Sequence, residues 1–316
     1  MFAARGLAVS FAVFALVYTL LSLAVSLAWR KIWLYSQRNA VRWTADLLLV
    51  IRLFPLGVAI IVTTAFTVPS FLLLEPRTID EPIGGFPLVL GICCAVLGIF
   101  GVVNSGVAMW QASRTISAWT RGAQLVGSCG SVPVLRLSRV APAMTVAGIV
   151  RPKVLLSRVA ESVLTGGELR TAMNHEIAHV RRRDNLRKLL LRSVAFPGMA
   201  ALESAWLEST EMAADDAAVS NAAEALDLAS ALIKLSRLGP LEPSPELTAA
   251  LVHDPASAVN ARVERLLAWS CERRVTSGKY SLWYGLTAIL VIVGPLVLAY
   301  SPLLIGMHAA TEWLVQ

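Results

Sequence analysis

The sequence predicts a multi-pass α-helical membrane protein of four spans, with an α+β domain inserted between the third and the fourth. Three observations carry this. The chain of 316 residues is 56% hydrophobic, with a mean hydropathy of +0.65, well above soluble norms. Its apolar residues gather in uncharged blocks of about 20 residues or more, the length that crosses a bilayer. Between 111 and 279 the pattern turns polar and charged over a stretch of domain size.

The first block, 7–29, carries no charge. It is too long for a signal-peptide core and is preceded by Arg5 alone, so it reads as an uncleaved span. The second begins near Leu47, holds Arg52 near one end, and is uncharged over 53–74. An arginine about a turn inside a span reads as snorkelling to the interface, with a buried functional charge as the alternative. The third is 86–110. The fourth lies within 280–307, with Trp283 and Tyr284 at one end and Tyr300 toward the other, as interface anchors are placed. The expected organisation is therefore three spans over 1–110, a domain over 111–279, and a fourth span with a short external tail over 280–316.

Orientation follows from the basic residues. The loop after the first span holds Arg30, Lys31, Arg38 and Arg42 and no acid, whereas the next holds Glu75, Asp80 and Glu81 against Arg77. The first loop is expected in the cytoplasm and the second outside. Alternation then places 111–279 in the cytoplasm of a bacterial-type plasma membrane and both termini outside, in keeping with 21 Lys+Arg against 16 Asp+Glu in that domain. The net charge of +7 is accounted for by topology and anionic membrane lipid, without direct nucleic-acid binding. Cys93 and Cys94 fall in the third span and Cys129 and Cys271 lie far apart, so no disulfide framework or paired-cysteine metal site is expected.

Within the domain, Val132–Leu137 and the segment 144–156 are rich in Val, Ile and Leu and are punctuated by Pro142, Gly148 and Pro152. They read as short strands of a small sheet. A sheet edge of this kind can hold an extended peptide by backbone pairing.

Beyond them stands His175-Glu176-Ile177-Ala178-His179, which takes two of the chain's four histidines into five residues. On a helix, residues i and i+4 share a face about 6 Å apart, so both imidazoles can reach one Zn²⁺ at about 2.0–2.1 Å. Glu176 then projects beside the metal, placed to take a proton from water there. The helical pattern runs from Glu168 through Leu189, Leu190 and Leu191 to Phe196-Pro197-Gly198, where proline and glycine end it. A second helix is expected to begin there and to run, through Ala-rich sequence, to about Leu238.

A catalytic zinc needs a third protein ligand and an open position. In an antiparallel hairpin the outward and return legs are about 27 and 20 Å long at 1.5 Å per residue, which brings Glu211 to within about a turn of His179. Glu208 shares that face and competes for the role. Asp215, four residues beyond Glu211, can orient a ligating imidazole. Glu203 and Glu224 read as a solvated helix face.

Taken together, the run Gly148-Ile-Val-Arg-Pro-Lys-Val-Leu-Leu156, Leu169, His175-Glu-Ile-Ala-His-Val-Arg-Arg-Arg-Asp184-Asn185 and Glu211-Met-Ala-Ala-Asp215-Asp216-Ala217 resembles the BlaR/MecR family of integral-membrane zinc metallopeptidases. The likeness is detailed over about 130–220, and the four-span layout extends it over most of the chain. It implies a zincin-like metallopeptidase domain of gluzincin type holding one Zn²⁺, with His175, His179 and Glu211 as ligands, Glu176 as the base and Asp215 behind a ligand. It also implies a cytoplasmic protein substrate, a BlaI/MecI-like winged-helix repressor, and a signalling role. The stretch His253-Asp254-Pro255 to Arg262-Val263-Glu264-Arg265-Leu266 is similar to a His-Pro…Arg-Ile-x-x-Leu region of this family and of HtpX and CAAX-type proteases. His253 and Arg262 are assigned on that ground as facing substrate or the developing oxyanion, beside the plainer reading of a helix-start Asp254 and a salt-bridged Arg262.

The chain departs from the antibiotic-sensing members in one respect. Only about nine residues follow the fourth span and they hold no Ser-x-x-Lys motif, so a separate sensor partner is expected. Two other readings stand beside signalling: membrane-protein quality control of the HtpX sort, and an inactive receptor or scaffold.

Overall fold

Among the described residues, three helical paths are long and apolar enough to cross a membrane. Helix α1 spans Phe2–Ser36; the second path is α2 (Val41–Val62), a π turn (Thr63–Thr67) and α3 (Val68–Leu74); the third is α4 (Gly85–Thr120). The computed structural model describes residues 2–36, 41–76, 84–137, 142–194, 196, 198–238, 249–250, 256–269 and 299–315. A helix of 35 residues is about 50 Å long, more than the roughly 30 Å of hydrocarbon in a bilayer, so these helices project beyond it. Leu27 and Val102, at 76% and 72% exposed, stand on faces that only lipid would cover. The boundary expected at 110 falls inside α4, which continues to Thr120 and delivers the chain directly to the first strand.

Of the expected fourth span, 280–298 lies outside the described residues. Helix α11 (Tyr300–Val315) comes after it, so the positions expected as a short tail are helical. This helix packs against α3 and the π turn. Pro69 has no N–H to give to the carbonyl four residues back, and that carbonyl, of Ala65, instead accepts a hydrogen bond from the Tyr300 hydroxyl at 2.9 Å.

Arg52 departs from expectation. It is 1% exposed; its Nε donates to Glu203 Oε1 at 2.9 Å and its Nη2 to the Val194 carbonyl. The guanidinium has found partners inside the protein and has no need to snorkel. Glu203, expected on a solvated face, is half-exposed and is the partner.

The inserted domain begins with β1 (Gln124–Cys129) and β2 (Val132–Leu137), an antiparallel hairpin turned at Gly130, and continues with β3 (Met144–Ala147) and β4 (Lys153–Ser157). With β5 (Ala249–Ala250) they form one sheet in the order β1-β2-β4-β3-β5. The β2–β4 pair is parallel and the others antiparallel. Gly148 takes φ +96 after β3, where an added Cβ would lie 2.8 Å from the Arg151 carbonyl oxygen, so the turn into β4 requires glycine.

Helix α5 (Arg158–Val163) leads to α6 (Gly166–Arg182), α7 (Asp184–Ser193), α8 (Ala200–Ala218), α9 (Ala222–Arg237) and α10 (Ala256–Leu267). Two expected helices are thus each divided. The first breaks at Arg183, in the left-handed region at φ 55. The second breaks after Ala218, and Asn221 restarts it by accepting the Glu224 N–H at 2.9 Å. Glu224, expected on a solvated face, is partly buried and its carboxylate accepts the Ser220 N–H at 2.7 Å, capping α9. The domain core joins Val146, Val154 and Leu156 of the sheet to Ala172 and Ile177 of α6 and to Leu228 and Leu232 of α9. A second cluster places Leu191, Leu202 and Trp206 of α7 and α8 against Leu48 of α2. The domain therefore rests on the spans through α7 and α8.

Candidate metal centre

Helix α6 starts with a capping box. Thr165 accepts from the Glu168 N–H at 3.4 Å, and Glu168 accepts from the Thr165 N–H at 2.8 Å. Glu168 also takes hydrogen bonds from Ser230 and Lys234 of α9. Burial alone would raise its carboxyl, but Lys234, Ser230 and the Thr165 N–H together lower it to about 2. This end of α6 is locked to α9 while the other carries the histidines.

His175 and Glu176 are fully buried and His179 is 2% exposed. The two Nε2 atoms face each other at 3.0 Å. Their other nitrogens are engaged: His179 Nδ1 pairs with Asp184 Oδ2 at 2.8 Å, and His175 Nδ1 lies 2.9 Å from Asp215 Oδ1 in an ion-pair contact. Asp184 is hydrogen-bonded to Nδ1 of His179 and Asp215 stands beside Nδ1 of His175 as a charge contact, with both Nε2 atoms turned toward a common point, as carboxylates stand behind metal-binding histidines.

Asp184 reaches His179 because of the left-handed residue. One residue in that conformation ends α6 and turns the chain, so that Asp184, at the start of α7 and fully buried, points back at the ring five positions earlier. Asn185 fixes the same corner to the sheet by donating to the Gly148 carbonyl at 3.1 Å and the Val146 carbonyl at 3.4 Å.

Helix α8 packs against α6 and brings Glu211 to the pair. Its Oε2 is 3.5 Å from His175 Nε2 and its Oε1 3.5 Å from His179 Nε2. Glu208 is exposed. Arg262 of α10 is 2% exposed; it donates to both oxygens of Asp215 at 2.8 and 2.7 Å and stands 3.2 Å from Glu211 Oε2. The geometry is that of the salt-bridged reading: Arg262 holds the two carboxylates that face the histidines. His253 lies outside the described residues.

Three ligand atoms around a tetrahedral ion with bonds of about 2.0–2.1 Å stand about 3.3–3.4 Å apart. Separations of 3.0, 3.5 and 3.5 Å bracket that value, and His175, His179 and Glu211 fit a zinc-sized cation. Glu176 adds an independent sign, since both its carboxylate oxygens are buried without a hydrogen-bond partner. Such a group is expensive unless something polar is to be placed against it.

The charges point the same way. Burial opposes protonation of the imidazoles, yet Asp215 and Glu211 raise His175, and Glu211 with Asp184 raises His179 to about 10. Burial opposes ionisation of Glu211 and Asp215, yet His179, His175 and Arg262 hold the first, and Arg262 and His175 the second, well below the ordinary carboxylate range. Two buried carboxylates thus face the rings with Arg262 beside them, and a divalent cation would take the imidazoles in their neutral form. Burial pushes Glu176 the other way, up to about 7 against the pull of both histidines, where a carboxylate serves as a proton acceptor near neutrality.

Asp184 and Asn185 are visible in the sequence only as part of the longer motif, without a role. An Asp five residues after the second His of the pair, following three arginines, is the signal that points to them. No protein-family model matches the chain, and no curated protein matches it.

Proposed function

We propose that this chain is a membrane-embedded zinc endopeptidase, with His175, His179 and Glu211 as ligands and Glu176 as general base. The observation that carries the reading is the pair of Nε2 atoms turned toward each other by two separate carboxylates, with Glu211 completing the triangle and unpartnered Glu176 beside it. A bound zinc supplies Lewis acidity, polarising the scissile carbonyl and acidifying water. Glu176 accepts the proton of the attacking water as its oxygen bonds to the carbonyl carbon. It then delivers that proton to the nitrogen as the C–N bond breaks, leaving a carboxylate and an amine. Asp184 and Asp215 hold the rings, and Arg262 holds Asp215 and Glu211.

The substrate class we assign is a cytoplasmic protein, a winged-helix repressor of the BlaI/MecI sort, on the strength of the motif likeness and the charge asymmetry of the loops. A separate sensor would then supply the stimulus. The test is cleavage of such a repressor co-expressed with wild type, Glu176→Gln and His175→Ala. Wild type is expected to cleave; Glu176→Gln should keep zinc but lose about 10²–10⁴-fold in rate; His175→Ala should lose both. Equal repressor levels with all three proteins would refute the protease reading.

A further inference from the structure

The proposed triad is divided between two supports. His175 and His179 ride on α6, which is fixed to the sheet and to α9 through the core and the Glu168 bonds. Glu211 rides on α8, whose beginning is held by the spans. Tyr18, Ala59 and Val194 form one cluster there, and Leu48, Leu191, Leu202 and Trp206 another. Gly101 of α4 lies so close to the Ser193 carbonyl that no Cβ could be accommodated. Ser193 and Val194, where α7 ends, are thus seated among the spans.

Arg52 joins these parts. From α2 it reaches Glu203 in the first turn of α8 and the Val194 carbonyl just past α7, and Tyr18 of α1 faces it. Apolar packing lets one helix slide along another at little cost, whereas a guanidinium bonded in two directions fixes both height and rotation. Glu211 lies eight residues beyond Glu203, about 12 Å along the same rigid helix.

We infer that Arg52 is a positioning residue for the metal centre: by clamping Glu203 and Val194 to the second span, it sets where α8 holds Glu211 relative to His175 and His179. A displacement of that span then loosens or tightens the third ligand. The inference rests on the zinc reading above.

The experiment uses the full-length chain in lipid nanodiscs, as wild type, Arg52→Met, Arg52→Lys and Glu203→Gln. Amide hydrogen exchange on metal-free protein reports the anchoring, and competition for zinc against a chelator reports the grip. Arg52→Met and Glu203→Gln should speed exchange over 200–211 while leaving 168–182 as in wild type, and should weaken zinc binding about tenfold. Arg52→Lys, which keeps the charge, should recover most of both. Glu203→Gln carries the test alone if Arg52→Met does not fold. Variants with wild-type zinc affinity, or with exchange raised equally over α6 and α8, overturn the inference. A wild type that binds no zinc overturns the metal reading itself, a distinct result.

Discussion

Among the described residues, two groups of histidine and acidic side chains are close enough to share a cation: His175, His179 and Glu211 in the domain, and Glu75, His308 and Glu312 where α1, α3 and α11 meet. They differ in what stands behind them. In the first, separate carboxylates occupy the outer nitrogen of each ring, and the lone pairs converge on one point. In the second, a cation is already present. Arg5 lies 2.6 Å from Glu75 and 3.5 Å from Glu312, with His308 Nδ1 at 3.8 Å from Glu75. Proximity of ligand types is therefore a weak signal, and the groups that aim them are the strong one.

The largest expected effect tests that distinction directly. His179→Ala or Glu211→Ala should abolish stoichiometric zinc in the purified protein, while His308→Ala and Glu312→Ala should leave one zinc per chain. Metal analysis decides it, and loss of zinc from His308→Ala would put the metal in the other cluster.

Next in size is the contribution of the aiming carboxylate. Asp184→Ala removes the partner of His179 Nδ1 without touching a proposed ligand, and a loss of about 10–100-fold in zinc affinity is expected. Asp184→Asn should fall between, because it retains an acceptor without the charge. An affinity equal to wild type in both would show that the α6–α7 corner has no bearing on the metal.

In the other cluster Arg5→Met should affect stability and not metal. Arg5 and Glu75 are each nearly buried, and removing one partner of such a pair leaves the other charge uncompensated, at a cost of roughly 3 kcal/mol. Thermal unfolding in detergent should show it, with zinc content unchanged.

The smallest effect is a pH dependence away from both clusters. Glu168 is lowered in the folded protein to about 2 from an ordinary value of 4.5. Its contribution is therefore complete above about pH 4.5 and is lost as pH falls toward 2. At 1.36 kcal/mol per unit, this is roughly 3–3.5 kcal/mol at most. Glu168→Gln should flatten the acid limb of the stability curve between those values, and an unchanged limb would place the acid sensitivity elsewhere.

The features legible in the sequence are local or periodic. Spacing alone places His175, Glu176 and His179 on one helix, and the reach of a hairpin brings Glu211 opposite them, with Glu208 as a competitor that only the observed geometry sets aside. Strand β2 is legible as a run of apolar residues, whereas β1, nearly all exposed, gives no alternation to read. The corner at Arg183 is invisible because a left-handed non-glycine residue has no propensity signal, and Asp184's role depends on that corner. Arg52 reads wrongly as a snorkelling residue because its partner lies 151 positions away in the chain, and no local rule says that a charge in a span will find one.

The π turn at Thr63–Thr67 works as a phase shifter. Each residue of a helix advances it by about 100°, so the wider turn rotates everything beyond it relative to the half of the path that bears Arg52. In that rotated frame Phe71 packs against Phe2 with ring centroids 4.8 Å apart and tilted by 39°, and Glu75 meets Arg5. Returning the path to a uniform α-helix at its present length would swing both side chains about 100° off α1, while Arg52 stayed on Glu203, and deleting one residue between 63 and 67 as well would bring them back. The two ends of one transmembrane path are thus keyed to different neighbours, and five residues hold the angle between the keys.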